Sequence, residues 1–166
     1  MNIFKILVVS DTHGNAYALK KLISAYQNKI NLFLHLGDGE AEFFQMQNMF
    51  SNLKMIMVCG NCDLNLNNKL PKLKLLHIDG YNIIACHGHE FSVKQNLHYL
   101  QQTAKNLKAN LALFGHTHIR HIQTDENENL TLFNPGSLSI PRTQKPSFGL
   151  ITIKNKKIDA KIIDFL

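Results

Sequence analysis

Seven residues of metal-binding type fall at five points along the chain: Asp11 and His13, Asp38, Asn61, His87, and finally His116 and His118. Carboxylate oxygens mixed with imidazole nitrogens suit manganese, iron, zinc, nickel or cobalt, whereas magnesium and calcium want mostly oxygen. The x in Asp-x-His and His-x-His carries physical meaning. In an extended segment residues i and i+2 face the same way, so each pair can reach one small volume. Taken singly, Asp11 or Gly37-Asp38 reads as a turn and Asn15 as a helix cap, and His116 and His118 as a polar strand end. Taken together, seven metal-competent side chains at five successive strand ends would have to coincide.

The elements that must position them follow from periodicity. Ile3 to Ser10 is nearly continuous in apolar and β-branched residues, the mark of a strand buried on both faces. It runs into Asp11-Thr12-His13-Gly14, and Asn15 then caps a helix whose apolar positions are Ala18, Leu19, Leu22, Ile23 and Tyr26. A second strand, Asn31 to Leu36, ends in Gly37-Asp38-Gly39 before a helix from Glu40 to about Phe50. A third, Lys54 to Val58, ends in Gly60-Asn61-Cys62-Asp63. This βαβαβ start predicts a parallel sheet with its ligands at the carboxyl ends of the strands.

Beyond Pro71 the pattern changes. Leu73 to Ile78 and Tyr81 to Cys86 flank Asp79-Gly80, a type I′ hairpin signal, and the second of them leads into His87-Gly88-His89. A helix is expected from Val93 to Leu107, then a strand from Leu111 to Phe114 ending in Gly115-His116-Thr117-His118. Strands are expected at 120–124, 130–133, 148–154 and 158–165, the last two joined across Asn155-Lys156. Two mixed β-sheets with α-helices outside, a four-layer α/β sandwich, is the simplest way to bury all of these strands.

Composition bounds the function. The 166 residues suit a single domain over 1–166, and 45% hydrophobic with 18% charged residues excludes a disordered chain. No apolar run nears the roughly 20 residues of a membrane-spanning helix. Asp11 and His13 break the apolar N-terminal stretch, which argues against a signal peptide. Three cysteines form no even framework, so a reducing, cytoplasmic setting is expected. Cys59-x-x-Cys62 could suggest a redox pair or a zinc site, but no helix start follows it, and Cys86 is the one cysteine left to help complete four ligands. The formal charge of +6 invites a nucleic-acid partner, yet the lysines (Lys69, Lys72, Lys74; Lys154, Lys156, Lys157) are scattered without an aromatic-interleaved stripe. Solvated surface is the better account, although a nuclease would attack the same phosphodiester chemistry.

The series D-T-H-G (Asp11 to Gly14), G-D (Gly37, Asp38), G-N-C-D (Gly60 to Asp63), H-G-H (His87 to His89) and G-H-T-H (Gly115 to His118), with N-P-G-S at Asn134 to Ser137, resembles the calcineurin-like metallophosphoesterase superfamily, and within it the small bacterial and archaeal phosphodiesterase branch. The match spans residues 3 to 118 in order. The resemblance implies the four-layer sandwich and two divalent transition-metal ions, manganese foremost, with nickel, cobalt, iron or zinc as alternatives. It implies that Asp11, His13 and His118 hold one ion, that Asn61, His87 and His116 hold the other, and that Asp38 bridges both. Such a pair holds a hydroxide nucleophile and stabilises in-line displacement at phosphorus. With four positive charges from the ions and only Asp11 and Asp38 anionic, the centre stays positive and draws a small anionic phosphoester.

One departure bears on the chemistry. Larger relatives carry a histidine after the ligand asparagine, where Cys62 stands here, and a thiol is a poorer proton donor to the leaving alkoxide. His89 and Asp63 are the remaining candidates for proton transfer or for support of the ligands, with His35 a further supporting candidate. His77, His98 and His121 have no partner in the pattern and read as surface or hairpin residues. Arg142 reads either as a phosphate contact or as an exposed loop residue. Substrate recognition is expected in the loops 64–70, 90–95 and 139–145. A phosphomonoesterase, or a non-enzymatic protein-interaction scaffold on the same fold, is the alternative to a phosphodiesterase. A homo-oligomer is compatible with the sequence.

Overall fold

A computed structural model of the chain describes residues 3–65, 69–142, 145–155 and 157–166. Lys156 of the expected final turn lies outside the described residues, as do 66–68 and 143–144 of the expected recognition loops. The elements run β1 (Ile3–Val9), α1 (Ala16–Tyr26), β2 (Leu32–His35), α2 (Glu40–Met49), β3 (Met55–Met57), β4 (Leu73–Ile78), β5 (Tyr81–Cys86), α3 (His98–Asn106), β6 (Leu111–Leu113), β7 (Arg120–Asp125), β8 (Leu130–Pro135), β9 (Ser147–Lys154) and β10 (Lys157–Asp164).

The strands form two five-stranded mixed sheets, ordered β10-β9-β1-β2-β3 and β4-β5-β6-β8-β7. In the first, β1 pairs parallel with β2 and β2 with β3, as the βαβαβ start requires, and β9 adds antiparallel to the free side of β1. In the second, β5, β6 and β8 are parallel and are flanked by antiparallel β4 and β7.

Alternation along the strands explains why these sheets stack as they do. Leu7 and Val9 of β1 pack with Leu19, Leu22, Phe33 and Phe43 under α1 and α2. Ile6 and Val8, one residue out of phase, pack with Leu34, Ile83, Leu111 and Phe133 between the sheets. On the far side Ala112 and Phe114 join Leu100 and Ala104 of α3. The layer order is therefore helices, sheet, sheet, helix. Asn15 caps α1 as its position suggests, its Oδ1 accepting from Ala18 N at 3.0 Å.

One element departs from expectation. The helix expected from Val93 starts at His98, because the chain first makes a single 3-10 turn at His89–Phe91 and Ser92 then takes a left-handed conformation, φ 53°. The Asn96 side chain takes the His98 N–H at 3.0 Å and so opens the helix late. Val93 is nonetheless buried, with Leu97 packed against the same apolar cluster, so the apolar spacing matched a helix that the backbone does not form there. At the other end of the sheet β8 runs two residues past its expected end, with Asn134 and Pro135 pairing to His121 and Arg120.

Candidate metal centre

Loops following β1, β2, β3, β5 and β6 meet where the two sheets' carboxyl ends adjoin, and all seven expected side chains are brought there. His87 Nδ1 donates to Leu36 O at 2.7 Å, and a carbonyl can only accept, so in the neutral ring Nε2 carries the lone pair. That nitrogen lies 3.1 Å from Asn61 Oδ1, 3.2 Å from His116 Nδ1 and 3.4 Å from Asp38 Oδ2. His118 is fixed in the same tautomer by Nδ1 donating to Ile140 O at 2.8 Å. Its Nε2 stands 3.2 Å from His13 Nε2 and 3.1 Å from Asp11 Oδ1.

Asp11 and Asp38 each divide their oxygens between two tasks. Asp11 Oδ2 accepts from Ser10 Oγ at 2.6 Å and from His116 N at 3.1 Å, while Oδ1 is buried, faces the histidines and has no hydrogen-bond partner among the described residues. Asp38 Oδ1 accepts from Cys62 N at 2.8 Å, leaving Oδ2 for His87 and, at 3.8 Å, His13. With His87 and His118 neutral, acceptor atoms are packed against acceptor atoms with an orphaned carboxylate oxygen among them, and they repel one another unless a proton or a metal cation lies between. The donor set thus fits a metal. The donor atoms of Asp11, His13 and His118, of Asp11, Asp38 and His87, and of His13, Asp38 and Cys62 each lie within 4.8 Å of one another.

Charge tells the same story. Burial pushes the Asp38 carboxyl up, but His87 and the Cys62 N–H outweigh it and hold it well below the usual carboxylate range. Burial likewise opposes ionisation of Asp11, and His118, His87 and Ser10 together bring it down. His87 is drawn down by burial and raised more by Asp38 and Asp11, and the adjacent Asp11 carboxylate raises His118. His116, desolvated and facing His87, is pulled down to about 4. Both carboxylates are thus held in their anionic form and favour positive charge beside them.

The route to convergence is not the extended i, i+2 geometry expected from the spacing. Asp11 (φ 54°), His13 (φ 41°), Asp38 (φ 59°), His116 (φ 66°) and His118 (φ 59°) all lie in the left-handed region, which costs of order 1 kcal/mol or more per residue. Backbone bonds hold them there: Asp11 N to Gly37 O at 3.1 Å and His13 N to Asp38 O at 3.0 Å. Close packing adds a constraint at Gly60, where a Cβ would overlap Asp38 Oδ1, and at Gly37, where it would come within 2.7 Å of His87 Nδ1.

The residues named around the ligands have separate fates. Asp63 accepts from Asp38 N (2.9 Å), Gly39 N (2.8 Å), Glu40 N (2.9 Å) and Gly60 N (2.7 Å), so its oxygens fix the Asp38 loop and the start of α2. Cys62 is exposed, accepts from Asn61 Nδ2 at 3.2 Å, and has its thiol pushed up to about 11 by desolvation and the nearby Asp38. His89 stands beside the cluster, its ring 5.4 Å from His87 and 6.0 Å from His116, with a buried Nδ1 that has no partner among the described residues. His77 and His98 are exposed, but His121 is half-buried against Phe114.

Some contributors gave little sequence signal. Glu42, which reads as an ordinary acid in the first turn of a helix, is buried and accepts from Thr12 Oγ1 at 2.6 Å and Gly14 N at 2.7 Å. Asn134 ties β8 to the histidine turn through Gly115 O (2.9 Å) and Thr117 Oγ1 (3.0 Å), and Ser137 Oγ donates to Asp11 O at 2.8 Å. The N-P-G-S motif was visible; its role as a tie between loops from both sheets was not.

His35 gives a testable consequence. It is wholly buried, Nδ1 accepts from Gly37 N at 3.1 Å, and Nε2–H therefore donates to Thr12 Oγ1 at 2.9 Å. Burial pulls its pKa down to about 4, so the folded protein stays neutral where the unfolded chain, at about 6.5, takes a proton. Its contribution is complete above pH 6.5 and lost as pH falls toward 4, by up to about 3 kcal/mol. Urea midpoints of wild type and His35→Gln across pH 7 to 4.5 should show a shallower fall for the variant; equal slopes would refute the assignment.

Residues 4–156 match the calcineurin-like phosphoesterase superfamily domain. The probable metallophosphoesterase YsnB of Bacillus subtilis is 28% identical over 162 residues, covering 96% of this chain and 90% of that protein. The phosphodiesterase YfcE of Escherichia coli K12 is 26% identical over 170 residues, covering 89% and 86%. A conserved Streptococcus pneumoniae protein, described as a predicted phosphoesterase, superposes with a TM-score of 0.83 at 23% identity, covering 99% of this chain and 91% of that one. With two mixed sheets between helices, converging Asp and His donors and a family match over nearly its whole length, the chain belongs to the calcineurin-like phosphoesterase superfamily.

Proposed function

We propose that the chain is a metal-dependent phosphodiesterase. Asp11, His13 and His118 would hold one divalent ion, Asn61, His87 and His116 a second, and Asp38 both. The observation that carries the reading is the convergence of Asn61 Oδ1 and Asp38 Oδ2 on the lone pair of the neutral His87 Nε2, together with the buried Asp11 Oδ1, which has no hydrogen-bond partner among the described residues. Divalent ions bound there supply Lewis-acid activation of water and of the phosphoryl oxygen. The protein fixes the donors: Leu36 O and Ile140 O set two imidazole tautomers, and the Cys62 N–H reserves one Asp38 oxygen so that the other can be shared.

Only two of the seven donors are anionic, so a loaded centre attracts a phosphate ester. A cavity of about 700 Å³ opens beside His13, Asp38 and Cys62 and has apolar walls at Phe44 and Leu64, room for an organic substituent of a diester. The mixed oxygen and nitrogen set favours manganese, with nickel, cobalt, iron or zinc able to substitute. Three free cysteines accord with a reducing cytoplasm, and no helix among the described residues is long and apolar enough to cross a membrane.

Protein reconstituted with manganese, nickel or cobalt should hydrolyse bis(p-nitrophenyl) phosphate faster than p-nitrophenyl phosphate. The reverse order would make it a phosphomonoesterase, and no turnover despite a filled site would leave the scaffold reading.

Cys62 adds a kinetic signature. A thiol raised to about 11 is a weak proton donor, so poor leaving groups should react slowly and kcat should depend steeply on leaving-group pKa. In Cys62→His, poor leaving groups should gain about 10²-fold and the dependence should flatten. A flat series in wild type would rule this out.

A further inference from the structure

Cavities of opposite electrical character flank the candidate metal centre. The larger, beside His13 and Cys62, has Asp38, Glu40, Glu42 and Asp63 in its walls against Lys69. The smaller, about 340 Å³, is walled in part by Thr117, the residue between His116 and His118, and no acidic residue lines it. Its charges are Lys94 and Arg142. The lysine and arginine ion pairs of the described residues involve Lys72, Lys105, Arg120 and Lys161, and neither of these two.

Arg142 N donates to His118 O at 3.3 Å, which ties its loop to the centre, and Lys94 lines the same cavity. His121 Nε2, on the same wall, is buried with no hydrogen-bond partner among the described residues. Val93 and Leu97 supply an apolar flank. Two cations without an ion-pair partner among the described residues stand beside a centre that is itself positive when loaded, and no carboxylate lines the cavity to balance them.

We infer that this cavity is a subsite for a second phosphate carried by the substrate, held by Lys94 and Arg142 while the connecting organic part lies on Val93 and Leu97. The inference rests on the phosphoesterase reading above and adds a substrate class, phosphoesters bearing a further phosphate one organic unit away. It also gives Arg142 a task as a binding residue outside the metal-ligand set.

A binding comparison tests it without turnover. Calorimetric titration of metal-loaded protein with thymidine 3′,5′-bisphosphate and with thymidine 5′-phosphate should show the bisphosphate binding at least about tenfold tighter, the scale of one charge-assisted contact. In Lys94→Gln/Arg142→Gln the ratio should fall toward one. Equal affinities in wild type, or a ratio that survives the double substitution, would overturn the subsite. If the double variant does not fold, each single substitution should lower the ratio, and a ratio unchanged in both counts against the proposal. Hydrolysis of thymidine 5′-(p-nitrophenyl phosphate) with and without a 3′-phosphate provides the kinetic counterpart, expected as a lower KM for the phosphorylated ester. Failure to hydrolyse any p-nitrophenyl diester would overturn the phosphodiesterase reading, while the binding ratio decides the subsite independently.

Discussion

Asp38→Asn is expected to lower kcat/KM for bis(p-nitrophenyl) phosphate by about 10³-fold or more, the largest effect of any single substitution in this chain. The argument is geometric. Asp38 Oδ2 lies 3.4 Å from His87 Nε2 and 3.8 Å from His13 Nε2, between the two donor groups, while Oδ1 is committed to the Cys62 N–H. An amide in its place must either present its NH2 to the shared position or turn its oxygen there and set the NH2 against the Cys62 N–H. Either choice loses a negative charge that both ions would share. Loss of a group that merely orients a ligand costs about 10- to 100-fold in metal affinity or activity, and loss of a shared ligand should exceed that. Metal content by mass spectrometry should fall together with activity. Full occupancy of two ions and wild-type turnover in Asp38→Asn would exclude the bridging role.

Asp63→Ala should produce the largest loss of stability, about 3–5 kcal/mol. Four backbone N–H groups, those of Asp38, Gly39, Glu40 and Gly60, converge on its two oxygens within 2.9 Å. Hydrogen bonds to a charged acceptor are worth about 1.5–3 kcal/mol each and do not add fully when they share one acceptor group. Against a typical total of about 5–15 kcal/mol this is a large fraction. Asp63→Asn should fall between, since an amide offers one acceptor oxygen and turns a donor toward the remaining N–H groups. Urea denaturation of the metal-free protein gives the measurement, and a loss below about 1 kcal/mol would be incompatible with the four-bond arrangement. The substitution also frees the Asp38 backbone, so metal affinity should drop with stability. Of the two roles open to Asp63 in the sequence, support of the ligand loop accords with this geometry, because all four N–H contacts occupy its carboxylate.

How much of this could be read before folding depended on how local the physics is. The β4–β5 hairpin was legible because Asp79-Gly80 tolerates the positive φ values, 49° and 85°, that a tight reversal needs. The first three strands and α1 were legible because their apolar runs and the Asn15 cap are properties of neighbouring residues. The start of α3 was not, since Val93, buried, and Leu97, partly buried, pack on the apolar cluster beneath them and mimic the apolar face of a helix. Metal-binding chemistry is restricted to a few side-chain types, so the seven candidate donors were conspicuous at the strand ends from residue type alone.

The sequence by itself determined which residues are available for metal chemistry, the order of the elements that carry them, and the alternation that divides β1 between two cores. Only the tertiary structure decided how they meet. Five of the seven adopt left-handed backbone that none would prefer locally, and they are held there by bonds reaching across the fold, such as His13 N to Asp38 O and His116 N to Asp11 Oδ2. The same holds for the tautomers of His87 and His118, set by the carbonyls of Leu36 and Ile140, and for Glu42, whose buried role depends on Thr12 and Gly14. Each is a pairing between residues distant in the chain, and a preference that exists only once two distant groups are in contact leaves no trace in the local pattern of either.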